Sequence, residues 1–162
     1  MKKRLLIGVI MTECQINFQL DILKGIISQG FKTNSDIVIL APLHNFYVVN
    51  PHKQAEKEIF KLINSQSFDG FLYDRNTIYD EDIKLMTDNL LLASGKPVML
   101  LDSQEHKVFE STAIDDCTAF EQITDHLIDV HGYKKIYCLT GPKKFFVSEE
   151  RMRGFLISMK KH

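Results

Sequence analysis

Short unbroken apolar runs alternate along this chain with longer stretches whose apolar residues recur every three or four positions. The runs read as strands buried on both faces of a sheet: Leu5 to Met11, Asp36 to Ala41 closed by Pro42, Asp69 to Tyr73, and a run of Val, Met and Leu after Gly95-Lys96-Pro97 that stops on Asp102. Between them lie amphipathic helices. Ile16 to Gln29 carries Ile16, Leu20, Leu23 and Ile27 on one stripe, with Gly30 as its stop. Asn50-Pro51 opens the next, since Asn caps well and Pro at the first helical position loses no needed donor. That helix runs to about Ser65 and turns Ala55, Ile59, Leu62 and Ile63 inward. Asp80 caps a third through Ser94, with Ile83, Met86, Leu90 and Leu91 as its apolar face. The β-α-β-α-β-α-β alternation predicts an α/β fold, a parallel sheet flanked by helices and joined by right-handed crossovers.

The pattern resumes after a break. Asp115 and Asp116 stand ahead of an amphipathic helix with Ala119, Phe120, Ile123, Leu127 and Val130 at helical spacing, stopped by Gly132. A further strand-like run, Lys135 to Thr140, ends at Gly141-Pro142. Ser148 then caps a last helix whose first turn carries Glu149 and Glu150, the sign that the helix dipole favours.

Composition narrows the function classes. The 162 residues are 44% apolar and 25% charged, an ordinary globular balance, and the net charge of -1 lacks the excess of a bare nucleic-acid-binding domain. Cys14, Cys117 and Cys138 have no CxxC spacing and no neighbouring His pair, so no metal and no cofactor is expected; scattered thiols of this kind fit a reducing, cytoplasmic protein. The basic start MKKR precedes an apolar run too short for an export signal and followed at once by Thr12-Glu13; no stretch reaches membrane-spanning length. No GxSxG word or locally spaced Cys/His arrangement points to a hydrolase. His126 and His131, five apart, do not share a helix face.

The words "RLLIGVIM", "FDGFLY", "PVMLLD", "DD", "DHLIDVHGYKKIYCLTGP" and "ERMRGF" stand in an order and spacing that resembles the effector-binding domain of the LacI/GalR (lactose-repressor/galactose-repressor) family. That resemblance implies a type I periplasmic-binding-protein-like fold with two lobes. Residues 1–113 would form the first lobe, complete in its first four strands, and residues 114–162 the truncated beginning of the second. Missing second-lobe strands would leave the Lys135–Thr140 strand with an open edge. The resemblance also implies a non-enzymatic sensor that closes on a small polar effector such as a sugar and acts as a homodimer. DNA would be reached only through a module absent from this chain. The same sensor could instead feed a C-terminal AraC-type DNA-binding module or a GGDEF diguanylate cyclase, and the alternative from a different class is an enzyme on a flavodoxin-like sheet. A response regulator would need an acid pair after strand one and an Asp at the end of strand three, which Glu13 and Asp74 imitate faintly, but "HGYKKIYCLTGP" and "ERMRGF" have no place in that fold.

Open parallel sheets bind ligands beyond the carboxyl ends of their strands, which selects the residues just after each apolar run. These are Thr12, Glu13, Asn17 and Phe18; then His44, Asn45 and Phe46; then Asp74, Arg75 and Asn76; then Asp102; and finally Phe145 and Phe146. Carboxylates and amides accept from hydroxyls, an Arg offers a planar fork, and aromatic faces cover C–H surface. The resemblance singles out Asp102 and Arg151 as positions that touch effector. The ligand set expected is Glu13, Asn17, Phe18, Asp74, Arg75, Asp102, Phe146 and Arg151.

Overall fold

The computed structural model describes residues 4–42, 53–64, 67–103, 107–141 and 145–162. They fall into two compact units, Met1–Ala113 and Ile114–His162. Unit 1 is a five-stranded parallel sheet in the order β2-β1-β3-β4-β5, built from β1 (Leu5–Ile10), β2 (Ser35–Leu40), β3 (Gly70–Tyr73), β4 (Val98–Leu100) and β5 (Glu110–Ser111). β1 lies inside the sheet, with Ile7 opposite Ile37 on one side and Gly70 on the other. Strand alternation splits the core between two faces. Val9 and Met11 pack with Leu23 of α1 (Asn17–Thr33). Ile10 belongs to the larger cluster with Phe60, Ile63, Phe71, Tyr73, Ile83 and Leu100, under the 3-10 helix Lys57–Asn64 and α3 (Glu81–Ser94).

Several local expectations change. α1 runs through Gly30 and ends where Asn34 enters the left-handed region at φ 54. Gly30 instead lets the helix approach β2, since a Cβ there would lie 2.8 Å from Ile37 Cγ1. The helix expected from Asn50 is described from Lys53, as one α-helical turn, α2 (Lys53–Glu56), that tightens into the 3-10 helix. Its residues repeat every three positions, so Phe60 and Ile63 turn inward while Ala55 and Leu62 are exposed. The Asn50-Pro51 start itself lies outside the described residues. Asp80 does cap α3, accepting from the Ile83 N–H at 3.0 Å.

Unit 2 is a helix pair, α4 (Asp116–Asp129) and α5 (Phe146–Lys161). Asp115 caps α4, accepting from the N–H of Thr118 at 3.0 Å. Lys135 to Thr140, expected as a strand, joins no ladder and leaves Tyr137 88% and Leu139 97% exposed. A strand needs a neighbour to satisfy its backbone, and unit 2 has no other strand among the described residues. α5 begins at Phe146, two residues before the expected cap, so Ser148 lies inside its first turn. Ile123 and Val130, expected inward on α4, are exposed. The face turned to α5 is set by Cys117 and Thr124, because the helices meet backbone to backbone at Gly154. A Cβ on Gly154 would sit 2.1 Å from the carbonyl oxygen of Cys117. A second brace is Asp125, which accepts from Ser158 Oγ at 2.5 Å and Lys161 Nζ at 2.7 Å.

Gly154→Ala therefore forces α5 away from α4. The expected cost is about 1–3 kcal/mol, the range for overpacking a close contact. Urea denaturation followed by helical circular dichroism measures it; an unchanged midpoint would mean that the two backbones are not in contact in solution.

Candidate functional site

Hydrogen bonding continues past the carboxyl ends of the strands and ties their loops together. The Asp74 N–H donates to the Ile10 carbonyl at 2.9 Å, and the Leu101 N–H to the Tyr73 carbonyl at 2.9 Å. Thr12 and Thr77, both buried, form a double link: the Thr12 N–H donates to Thr77 Oγ1 at 2.9 Å, and the Thr12 hydroxyl to the Thr77 carbonyl. Thr77 Oγ1 in turn donates to the Asp74 carbonyl at 2.8 Å. Asn76, on the exposed rim, donates from Nδ2 to the Asp102 carbonyl at 2.5 Å.

This scaffold carries Glu13, Asp74 and Asp102 on the loops after β1, β3 and β4. Asp74 is 2% exposed and Glu13 is 8% exposed. Burial, then the negative charge of Asp102 and more weakly of Glu13, pushes the Asp74 carboxyl up to about 7, although the N–H groups of Thr77 and Asn76 pull the other way. Burial, followed by the charge of Asp74, also raises the Cys14 thiol against the lowering effect of its own backbone N–H. Glu13 and Asp102 occupy the left-handed backbone region at φ 56 and φ 45. Non-glycine residues held there concentrate at functional sites, where the surrounding structure compensates for the strain. Tyr79 reaches Glu13 Oε2 with its hydroxyl at 3.4 Å.

The other candidates separate into groups. Asn17 and Phe18 open α1 and are exposed, and the helix start has no side-chain cap. Arg75 is committed elsewhere: Nε and Nη2 donate to the carboxylate of Asp88 on α3 at 2.9–3.2 Å. That pair is largely buried and structural in form. His44, Asn45 and Phe46 lie outside the described residues. In unit 2, Phe145 and Phe146 are partly exposed at the start of α5, where an interhelical loop was expected. Arg151 lies half exposed on α5 and donates from Nε to Asp116 at 2.8 Å.

Three partners escaped the residue-by-residue reading: Thr77, Tyr79 and Asp88. Only Asp88 left a signal, an acid beside the inward face of Ile83 and Leu91 that requires a buried cation. His126 and His131, expected apart, meet with ring centroids 4.9 Å apart, because α4 ends before His131 and the turn folds that ring back onto Tyr133. A groove of about 450 Å³ runs along α5 beside Met152, Leu156 and Ile157, but its lining holds none of the candidate residues. All three cysteines are free, and among the described residues no group of three His, Cys, Asp or Glu side chains is placed to hold a metal ion.

Residues 4–162 match the family model "periplasmic binding proteins and sugar binding domain of LacI family". The chain belongs to this family. Among curated proteins none matches in sequence. Solved LacI-family structures share the fold. The transcription regulator CcpA of Lactococcus lactis is 23% identical with a TM-score of 0.72, the match covering 98% of this chain and 54% of that one. The lac repressor dimer, solved bound to operator and the anti-inducer ONPF, is 18% identical with a TM-score of 0.73, over 99% and 52% of the two chains. A LacI-family regulator from Weissella paramesenteroides, solved with bound sucrose, is 18% identical with a TM-score of 0.71, over 97% and 54%. The present chain thus spans about half the length of these LacI-family structures. Among its described residues, no helix is long and apolar enough to cross a membrane.

Two outcomes follow from the geometry of unit 1. The folded Asp74 binds its proton more tightly than the unfolded chain does, so its contribution to stability is complete below the ordinary carboxylate range and is lost as pH rises from there through about 7. The slope approaches about 1.4 kcal/mol per pH unit in that window. Denaturation midpoints of Asp74→Asn against pH should lose this component, and an unaltered profile would show that Asp74 titrates normally. Arg75→Ala should destabilise by about 3 kcal/mol, the cost of leaving Asp88 buried alone. A midpoint shift below a few tenths of that value in urea would return Arg75 to the solvent.

Proposed function

We propose that this chain is the ligand-sensing part of a LacI/GalR-like transcription regulator. It takes a small polar effector such as a sugar between its two lobes and, as a homodimer in the cytoplasm, modulates DNA binding through a separate module. The observation that carries this reading is the family match over residues 4–162, joined to the convergence of Glu13, Asp74 and Asp102 where parallel sheets bind ligands. The lac repressor and CcpA are regulators of transcription, which supports the output, and the bound sucrose of the Weissella regulator supports the ligand class.

The chemistry fits hydroxyl recognition. Carboxylates at 13, 74 and 102 accept from hydroxyls, and a protonated Asp74 can also donate. Arg151 supplies paired donors, while Phe18 and Phe146 offer exposed rings for the C–H surface of a sugar. On this sensing reading the ligand leaves as it entered, as expected of a regulator and not of an enzyme. Lobe closure follows from differential affinity, because an effector can shift the open and closed populations only as far as it prefers one of them.

Calorimetry with pentoses, hexoses and disaccharides, including ribose and sucrose, tests the reading. Saturable binding of one of them is expected, weakened by about 2–4 kcal/mol in Arg151→Ala and only partly restored in Arg151→Lys, which keeps charge but not the fork. Absence of binding across the panel would overturn the sugar assignment. Unchanged affinity in Arg151→Ala would remove Arg151 from the site.

A further inference from the structure

Two arginine–carboxylate pairs in this chain differ in a way that points to different tasks. Arg75 gives Asp88 both Nε and Nη2, which spends one edge of its fork on a structural partner. Arg151 gives Asp116 only Nε, at 2.8 Å, and among the described residues neither of its terminal nitrogens meets an acceptor. The exposures run the same way: the Asp116 side chain is 12% exposed and that of Arg151 is 49% exposed. The acid is the buried anchor and the guanidinium is the exposed head.

Two further contacts fix the orientation of that head. Phe120, one turn along α4 from Asp116, lies under the guanidinium, with Cζ 5.5 Å from the ring centroid. Gly154, three residues beyond Arg151 on α5, is pressed against the Cys117 carbonyl in the first turn of α4. That contact sets how far α5 stands from Asp116, so the Nε contact depends on backbone packing as well as on side-chain rotamers.

We propose that Asp116 is a positioning residue for effector recognition: by taking Nε, and with the Phe120 ring beneath the guanidinium plane, it presents both terminal nitrogens of Arg151 to the hydroxyls or carboxylate of a ligand. The inference rests on the sensing reading above, and adds a residue that would act through Arg151 without touching ligand. An Arg already held in its binding orientation loses less freedom when ligand arrives, which raises affinity without a new contact.

Two measurements on the full chain test it separately from that reading. The first needs no ligand: ¹⁵N relaxation of arginine Nε–H groups should show Arg151 ordered in the wild type and mobile in Asp116→Ala. The near-isosteric Asp116→Asn, which keeps an acceptor and the fold, should retain part of the order. The second is a cycle using ribose or sucrose, whichever binds saturably. Asp116→Ala should weaken binding about tenfold on the wild-type background and not at all on the Arg151→Ala background. Equal loss on both backgrounds, or an Arg151 Nε–H equally ordered without Asp116, overturns the positioning role. Failure of both sugars to bind counts against the sensing reading, and the relaxation result then still decides whether Asp116 holds Arg151.

Discussion

The two hydrogen bonds that Thr12 donates to Thr77 hold the business end of unit 1 together. Both residues are buried, and each would carry unsatisfied polar groups into the protein interior if the other were displaced. The link joins the loop after β1 to the loop after β3 and so fixes where Glu13 and Asp74 stand. Through Thr77 it also reaches the Asp74 carbonyl. Two small hydroxyl side chains thus keep two acids in a place that electrostatics alone would empty. The third acid, Asp102, is tied in by its backbone carbonyl, which Asn76 engages.

Unit 2 solves a different problem with a different device. Its two helices carry few buried apolar side chains, and the pair is held by a close backbone approach at Gly154 and by polar braces at Asp116 and Asp125. Spacing set by a missing side chain is less forgiving than spacing set by packed leucines, because no rotamer change can relieve an intruding atom.

The β-α alternation, the sheet class and the capping of α3 and α4 by Asp80 and Asp115 were legible in the sequence because each rests on a local rule. What was not legible depended on distant partners. Gly30 looks like a helix stop until β2 is placed beside it. The run at Lys135–Thr140 has the composition of a buried strand but finds no ladder in unit 2. β5 is two polar residues long and leaves no periodic trace. At the site, the carboxyl-end rule singled out Glu13, Asp74 and Asp102 without saying which acids would be buried. It equally singled out Arg75, whose partner Asp88 lies on a helix that the rule does not consult.

The left-handed backbone at Glu13 and Asp102 sets stability and chemistry against each other in these loops. A glycine at either position would relax the backbone and so favour the fold, yet it would delete an acid from the sheet's carboxyl edge. Drift toward a more robust protein therefore runs toward a blander surface, and a library selected only for thermal tolerance would be expected to collect glycines at 13 and 102. Asparagine is the intermediate compromise at 102, since it tolerates the same backbone conformation and keeps an acceptor while giving up the charge.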